Sequence, residues 1–190
     1  MISGSIISRN SFVLLLCSLL FFGCRNNINQ VSVELPTNEQ TSGKVIAIID
    51  GDTYDLLLES KSTIRIRMDG IDAPEKGMPF YRVAKNYLGE LCFNKNITIL
   101  KTDDDIHGRI VAKSYLEDGR ELGQEMIKAG LAWHFKKYSS DKVLADLENQ
   151  ARKNKVGLWI EPNPLAPWEI RKLHRQGIST KDKFVNSENK

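Results

Sequence analysis

Five side chains have types and spacings that suit one kind of chemistry. Asp52 lies in the run Asp50-Gly51-Asp52-Thr53. Arg67, Asp72 and Glu75 fall within Arg67-Met-Asp-Gly-Ile-Asp-Ala-Pro-Glu75, and Arg109 follows His107-Gly108. Carboxylate oxygens are hard donors that suit Ca2+. Forked guanidiniums match the geometry of phosphate. Each fragment alone is weak, because Asp-Gly is a common turn and loop carboxylates are usually solvated. Together, in loops beside short strands, they can build one site for an anionic substrate.

The elements that must position them are legible from pattern. Lys44–Ile49 is β-branched and reads as a strand, Asp50-Gly51-Asp52 as a turn, and Thr53–Leu58 as the returning strand. Thr63–Met68 alternates, with Ile64, Ile66 and Met68 on one face and Arg65 and Arg67 on the other. Residues 69–75 then leave as a loop, with Pro74 preventing regular continuation. Phe80, Ala84, Tyr87, Leu88 and Leu91 share a helical face. Ile97–Lys101 and Arg109–Leu116 read as two further strands. Leu122, Met126, Ile127 and Leu131 fit a second helix. A third is expected to be capped by Ser140, to bury Val143, Leu144, Leu147 and Ala151, and to stop at Gly157. Three strands, a helix, two strands and two helices describe an α+β domain with a small barrel.

A chain of 190 residues has room for one ordinary domain. A net charge of +3, from 27 Lys+Arg against 24 Asp+Glu, is too small for a whole-surface basic patch. An anionic partner must therefore be held by local geometry. Three cysteines exclude a disulfide-dense framework. Residues 1–23 read as an export signal: Arg9 precedes the apolar run Ser11–Phe22, which is shorter than the roughly 20 residues of a spanning helix. Residues 24–42, rich in Asn, Ser, Thr and Gln, read as a flexible tether. The folded domain is expected over 43–160, followed by a Pro-containing, basic tail over 161–190. Cys92 lies in an apolar helical pattern and reads as a core residue, so no disulfide is expected.

Two resemblances add to this reading. Leu-Leu-Phe-Phe-Gly-Cys24 resembles a bacterial lipoprotein signal, which implies lipidation of Cys24, membrane attachment and a place in the cell envelope outside the cytoplasm. Asp50-Gly-Asp52-Thr, Arg67 to Glu75 and Asp105-Ile-His-Gly-Arg109 closely resemble the staphylococcal nuclease (thermonuclease) family. Gly130–Tyr138, Lys155–Trp159 and Pro164–Arg171 are similar to later segments of its members. This resemblance implies an OB-fold, a five-stranded barrel with three helices; separately, a monomer is expected. It implies a Ca2+-dependent nuclease cleaving DNA or RNA and leaving 3′-phosphate ends. It assigns Asp52, Asp72 and the backbone carbonyl of Ala73 to the metal. Arg67 and Arg109 are assigned to the scissile phosphate and Glu75 to the attacking water. Tyr138 corresponds to a nucleotide-pocket tyrosine, and Lys136 and His107 stand where the family often has tyrosines, at substrate-contacting positions.

Plainer roles are expected elsewhere. Asp50 reads as a turn stabiliser, Arg65 as a solvated strand residue, and Trp133 and Trp159 as core aromatics. His134 and His174 show no ligand pattern, and Asp105 is expected to support Arg109. The rival reading is a non-catalytic OB-fold module that binds nucleic acid at the cell surface.

Overall fold

The computed structural model describes residues 39–179. The expected signal at 1–23 and lipidation at Cys24 lie outside the described residues. Among those described, no helix is long and apolar enough to cross a membrane.

Five strands close a barrel: β1 (Gln40–Ile48), β2 (Thr53–Leu58), β3 (Thr63–Met68), β5 (Asn96–Asp104) and β6 (Ile110–Leu116), in the order β1-β2-β3-β6-β5. All pairings are antiparallel except β3 with β6. A two-stranded sheet joins β4 (Ile71–Asp72) to β7 (Trp133–His134). The helices are α1 (Tyr81–Cys92), α2 (Leu122–Lys128), α3 (Lys142–Lys153), a 3-10 turn at Gly157–Ile160 and α4 (Pro167–Arg175). The architecture is the expected α+β OB-type barrel, with a fourth helix in the tail.

Alternation decides which residues fill the barrel. Ile64, Ile66 and Met68 of β3 are buried while Arg65 stays exposed. Tyr54, Leu56, Ile97, Ile99, Ile110 and Ala112 complete the interior, with Leu88 of α1 and Leu122, Met126 and Ile127 of α2 closing one end. One polar pair sits inside: the Tyr54 hydroxyl lies 2.8 Å from that of Ser114. Cys92 is buried and donates to the Leu88 carbonyl at 3.1 Å.

Four boundaries differ from the sequence reading. β1 begins at Gln40, inside the segment read as tether, because Gln40, Thr41 and Ser42 pair with Leu100, Ile99 and Thr98. Ile71 and Asp72, read as loop, pair with His134 and Trp133. Asp141 caps α3 instead of Ser140, accepting from the amides of Val143 and Leu144. Leu144, Leu147 and Ala151 of α3 face inward as expected and Glu148 joins them, whereas Val143 is exposed and the helix ends at Lys153, before Gly157.

The tail is also more than a basic extension. Pro167 opens α4 with a φ suited to a first helical turn, and the Glu169 carboxylate accepts from the Ala166 amide at 3.0 Å. Ala166 and Ile170 pack with Trp133, Leu158 and Trp159 in a second apolar cluster, and Pro167 is also buried. The Trp168 ring stacks on Phe135 at 5.2 Å with the planes 3° apart. Trp133 meets Trp159 and Trp168 edge-on.

Candidate active site

The β1–β2 turn is held by backbone bonds from Ile49 and Asp50 to the Thr53 carbonyl, at 2.9 and 3.2 Å. The Asp50 carboxylate accepts from the Asp52 amide at 3.1 Å, as a turn stabiliser should. A Cβ on Gly51 would stand 2.8 Å from the methyls of Ala73 and Ala84. Glycine there lets the turn approach α1 and the loop after β4. That approach buries Asp52, whose Oδ2 accepts from the Ala73 amide at 2.7 Å and whose Oδ1 accepts from the Thr53 hydroxyl at 2.9 Å.

Pairing of β4 with β7 places Asp72 beside it. Asp52 and Asp72 are 5% and 2% exposed, and buried carboxylates require compensating partners. Arg67, at the outward end of β3, supplies them. Its Nε lies 3.3 Å from Asp52 Oδ1 and its Nη2 lies 3.1 Å from Asp72 Oδ1. A second guanidinium, Arg171 of α4, donates Nη2 to Asp72 Oδ2 at 2.7 Å and Nη1 to Glu75 Oε1. Burial pushes the Asp72 carboxyl above the usual carboxylate range, with Arg171 and Arg67 pulling it back. Burial, together with the charge of Asp52, raises Asp50 to about 6.

Arg109 stands across the cleft, held by Asp105, whose carboxylate takes its Nε at 2.6 Å and its backbone amide at 3.0 Å. The guanidinium holds the Asp105 carboxyl below its ordinary value, against the opposing effect of burial. The cleft between them has a volume of about 1080 Å³ and is lined by Asp52, Arg67, Asp72, Glu75 and Arg109 together. The other expected residues line its rim. His107 is exposed in the β5–β6 loop. Tyr138 is 67% exposed and packs edge-on to Phe135 at 4.8 Å. Lys136 lies 2.9 Å from Glu148 Oε2, so its ammonium is engaged with the protein. The Ala73 contact shown is its amide, on Asp52. His134 is buried, with Nε2 3.2 Å from the Ser139 hydroxyl, and burial lowers its pKa.

Three contributors were missed by sequence reasoning. Arg171 was read only within a basic tail and a stretch similar to family members, with no role of its own, although Pro167, Glu169 and the i, i+3 pair Pro167 and Ile170 gave a helix signal. Glu148 is 1% exposed and pairs with Lys136 and Arg152; it stands i+4 from Leu144 and i−3 from Ala151, an inward position that its charge masked. Phe135 became a stacking partner only through the packing of α4.

The two buried carboxylates in an open cleft fit a hard divalent cation, since they offer oxygen donors and leave room for further oxygens. Among the described residues, no group of three or more His, Cys, Asp or Glu side chains gathers as a ready-made cage.

A closed five-stranded barrel with this carboxylate–arginine cleft defines an OB-fold protein of the nuclease type. The family model described as "Staphylococcal nuclease homologue" matches residues 65–161, half of the chain, and the chain belongs to that family. It is similar to an "Uncharacterized endonuclease" of Escherichia coli, 38% identical over 70% of this chain and 86% of the relative. It is 33% identical to a "Micrococcal nuclease" of Shigella flexneri, over 77% and 90%. A "Staphylococcal-like nuclease CAN1" of Arabidopsis thaliana is 42% identical over 60% of this chain and 35% of its own length. Family membership supports nuclease activity.

Proposed function

We propose that the protein is a Ca2+-dependent nuclease that hydrolyses DNA or RNA outside the cytoplasm, attached to the cell envelope through Cys24. The observation that carries the catalytic reading is the convergence of Asp52, Asp72, Glu75, Arg67 and Arg109 on one cleft. The envelope reading rests on the sequence of residues 1–24 alone.

Asp52 and Asp72 would hold the cation, with the Ala73 carbonyl as a further oxygen donor. A bound Ca2+ supplies positive charge where negative charge develops on the phosphoryl oxygens. Arg67 and Arg109 present guanidiniums to the same group from two sides of the cleft. Donors fixed before reaction stabilise charge that grows in the transition state more than charge already present. Glu75 orients a water and accepts its proton as the water oxygen bonds to phosphorus. The P–O5′ bond breaks, the departing oxygen takes a proton from solvent, and the phosphate stays on the 3′ oxygen. His107, Lys136 and Tyr138 contact the flanking nucleotide from the rim.

The test incubates full-length protein and Glu75→Ala with single-stranded DNA and RNA in Ca2+ and in chelator, and analyses the product ends. Ca2+-dependent 3′-phosphate products from the wild type, about 100-fold or more reduced in the variant, support the reading. Tight binding without cleavage in any divalent cation refutes it and leaves the binding-module alternative.

A further inference from the structure

The family match ends at residue 161, yet the carboxylate pair at the centre of the cleft is completed from beyond it. Pro167, Ile170 and Arg171 follow i, i+3, i+4 spacing and so share one side of α4. Burial of Pro167 and Ile170, the latter in one cluster with Trp133, Leu158 and Trp159, and the stacking of Trp168 on Phe135, fix the helix in rotation as well as position. The Arg171 guanidinium also sits 5.9 Å over the Phe135 ring. One face of its fork binds Asp72 and the other Glu75. Glu75 lies in the loop after β4 and is half-exposed. Among the described residues, Arg171 is the side chain that bonds its carboxylate.

We propose that Arg171 is a positioning residue for phosphodiester cleavage, supplied by a helix beyond the residues that the family model matches, and that it sets Glu75 while weakening cation binding at Asp72. The inference rests on the nuclease reading of this cleft and adds a residue to it. Two consequences have opposite signs. A guanidinium spanning two carboxylates fixes their separation, which a half-exposed loop side chain does not do alone, so losing it misplaces Glu75. The same guanidinium is a positive charge 2.7 Å from Asp72 Oδ2, where it competes with any cation for that oxygen. Losing it frees the oxygen and removes the repulsion. A residue that only held α4 in place would loosen the site and weaken both properties together.

The experiment compares full-length wild type, Arg171→Ala and Arg171→Lys. Cation binding is measured without substrate, by terbium luminescence competed with Ca2+. Turnover on single-stranded DNA is measured at saturating Ca2+, with and without millimolar guanidinium. Arg171→Ala is expected to bind Ca2+ about 5- to 50-fold more tightly. Its kcat is expected to fall about 10- to 100-fold with KM little changed, and added guanidinium should restore part of it. Arg171→Lys should keep the weaker Ca2+ binding but recover little kcat, because an ammonium does not fork. Unchanged or weakened Ca2+ binding in Arg171→Ala overturns the proposal, as does undiminished kcat or a kcat loss that guanidinium leaves untouched. If the wild type cleaves nothing, the nuclease reading falls separately. The cation titration then judges the placement of Arg171 on Asp72 alone.

Discussion

Arg67 carries two duties that one substitution separates. The sequence suggests that Arg67→Ala abolishes activity and leaves folding intact. The structure predicts otherwise, because Arg67 compensates two buried carboxylates at 3.3 and 3.1 Å. At an effective dielectric of 20, one such contact amounts to about 5 kcal/mol before desolvation is counted. Breaking a buried pair by deleting one partner typically costs about 3–5 kcal/mol. Here Asp72 keeps Arg171, and Asp52 keeps the Ala73 amide and the Thr53 hydroxyl, which together moderate the loss. The expected destabilisation in chelator is about 2–3 kcal/mol, or roughly 4–12 °C in Tm for a domain of this size. In millimolar Ca2+ most of that deficit should disappear. The cation replaces the missing charge, and a ligand bound only by the folded state stabilises it. Cleavage should stay about 100- to 1,000-fold reduced in either condition. Denaturant titrations of wild type and variant, with Ca2+ and with chelator, read the stability; single-turnover cleavage reads the chemistry. A variant as stable as wild type in chelator refutes the argument, as does a deficit that Ca2+ leaves unchanged.

Three further outcomes follow from packing and charge. Gly130 has φ +64°, and a Cβ there would stand 2.1 Å from the Val156 carbonyl oxygen; Gly130→Ala should therefore lose about 2–4 kcal/mol in urea titration. Tyr54→Phe strands the buried Ser114 hydroxyl and should lose about 1–3 kcal/mol, while adding Ser114→Ala should recover part of that in a double-mutant cycle. Asp50 sits at about 6 in the folded chain, above the 3.8 of an unperturbed aspartate, so its ionisation opposes folding as pH rises through that interval. In chelator, Asp50→Asn should gain about 1–3 kcal/mol at pH 8 and progressively less toward pH 4; a gain that grows on acidification contradicts the assignment.

The barrel was legible because its information is local. Two-residue alternation in Thr63–Met68 and the turn at Asp50–Asp52 settle which side chains face inward, and the structure places Ile66, Met68 and Arg67 accordingly. The placement of Asp52, Arg67, Asp72, Glu75 and Arg109 on one cleft was legible for the same reason, since their spacing is set by two short turns and one strand end. Illegible parts depend on contacts between distant segments. β4 is two residues long and exists only because β7, some sixty positions later, pairs with it. Gln40–Ser42 carries no strand signal of its own, yet β5 recruits it. Glu148 shares the α3 face of Leu144 and Ala151 and stands one turn before Arg152, but its charge argued for solvent; Lys136, from the segment before α3, completes its pairing. Arg171 lies almost a hundred positions from Asp72, and only the docking of Ala166 and Ile170 reveals where its guanidinium must go.

The central claim is that Asp52 and Asp72 make phosphodiester cleavage depend on a cation held in this cleft. It is tested most directly by the Ca2+ dependence of cleavage of an end-labelled oligonucleotide by wild type and Asp72→Asn. The account predicts no cleavage in chelator, full activity in millimolar Ca2+, and a large rise in the Ca2+ concentration that half-activates the variant. Equal cleavage in chelator, or the same Ca2+ dependence in both proteins, would contradict it.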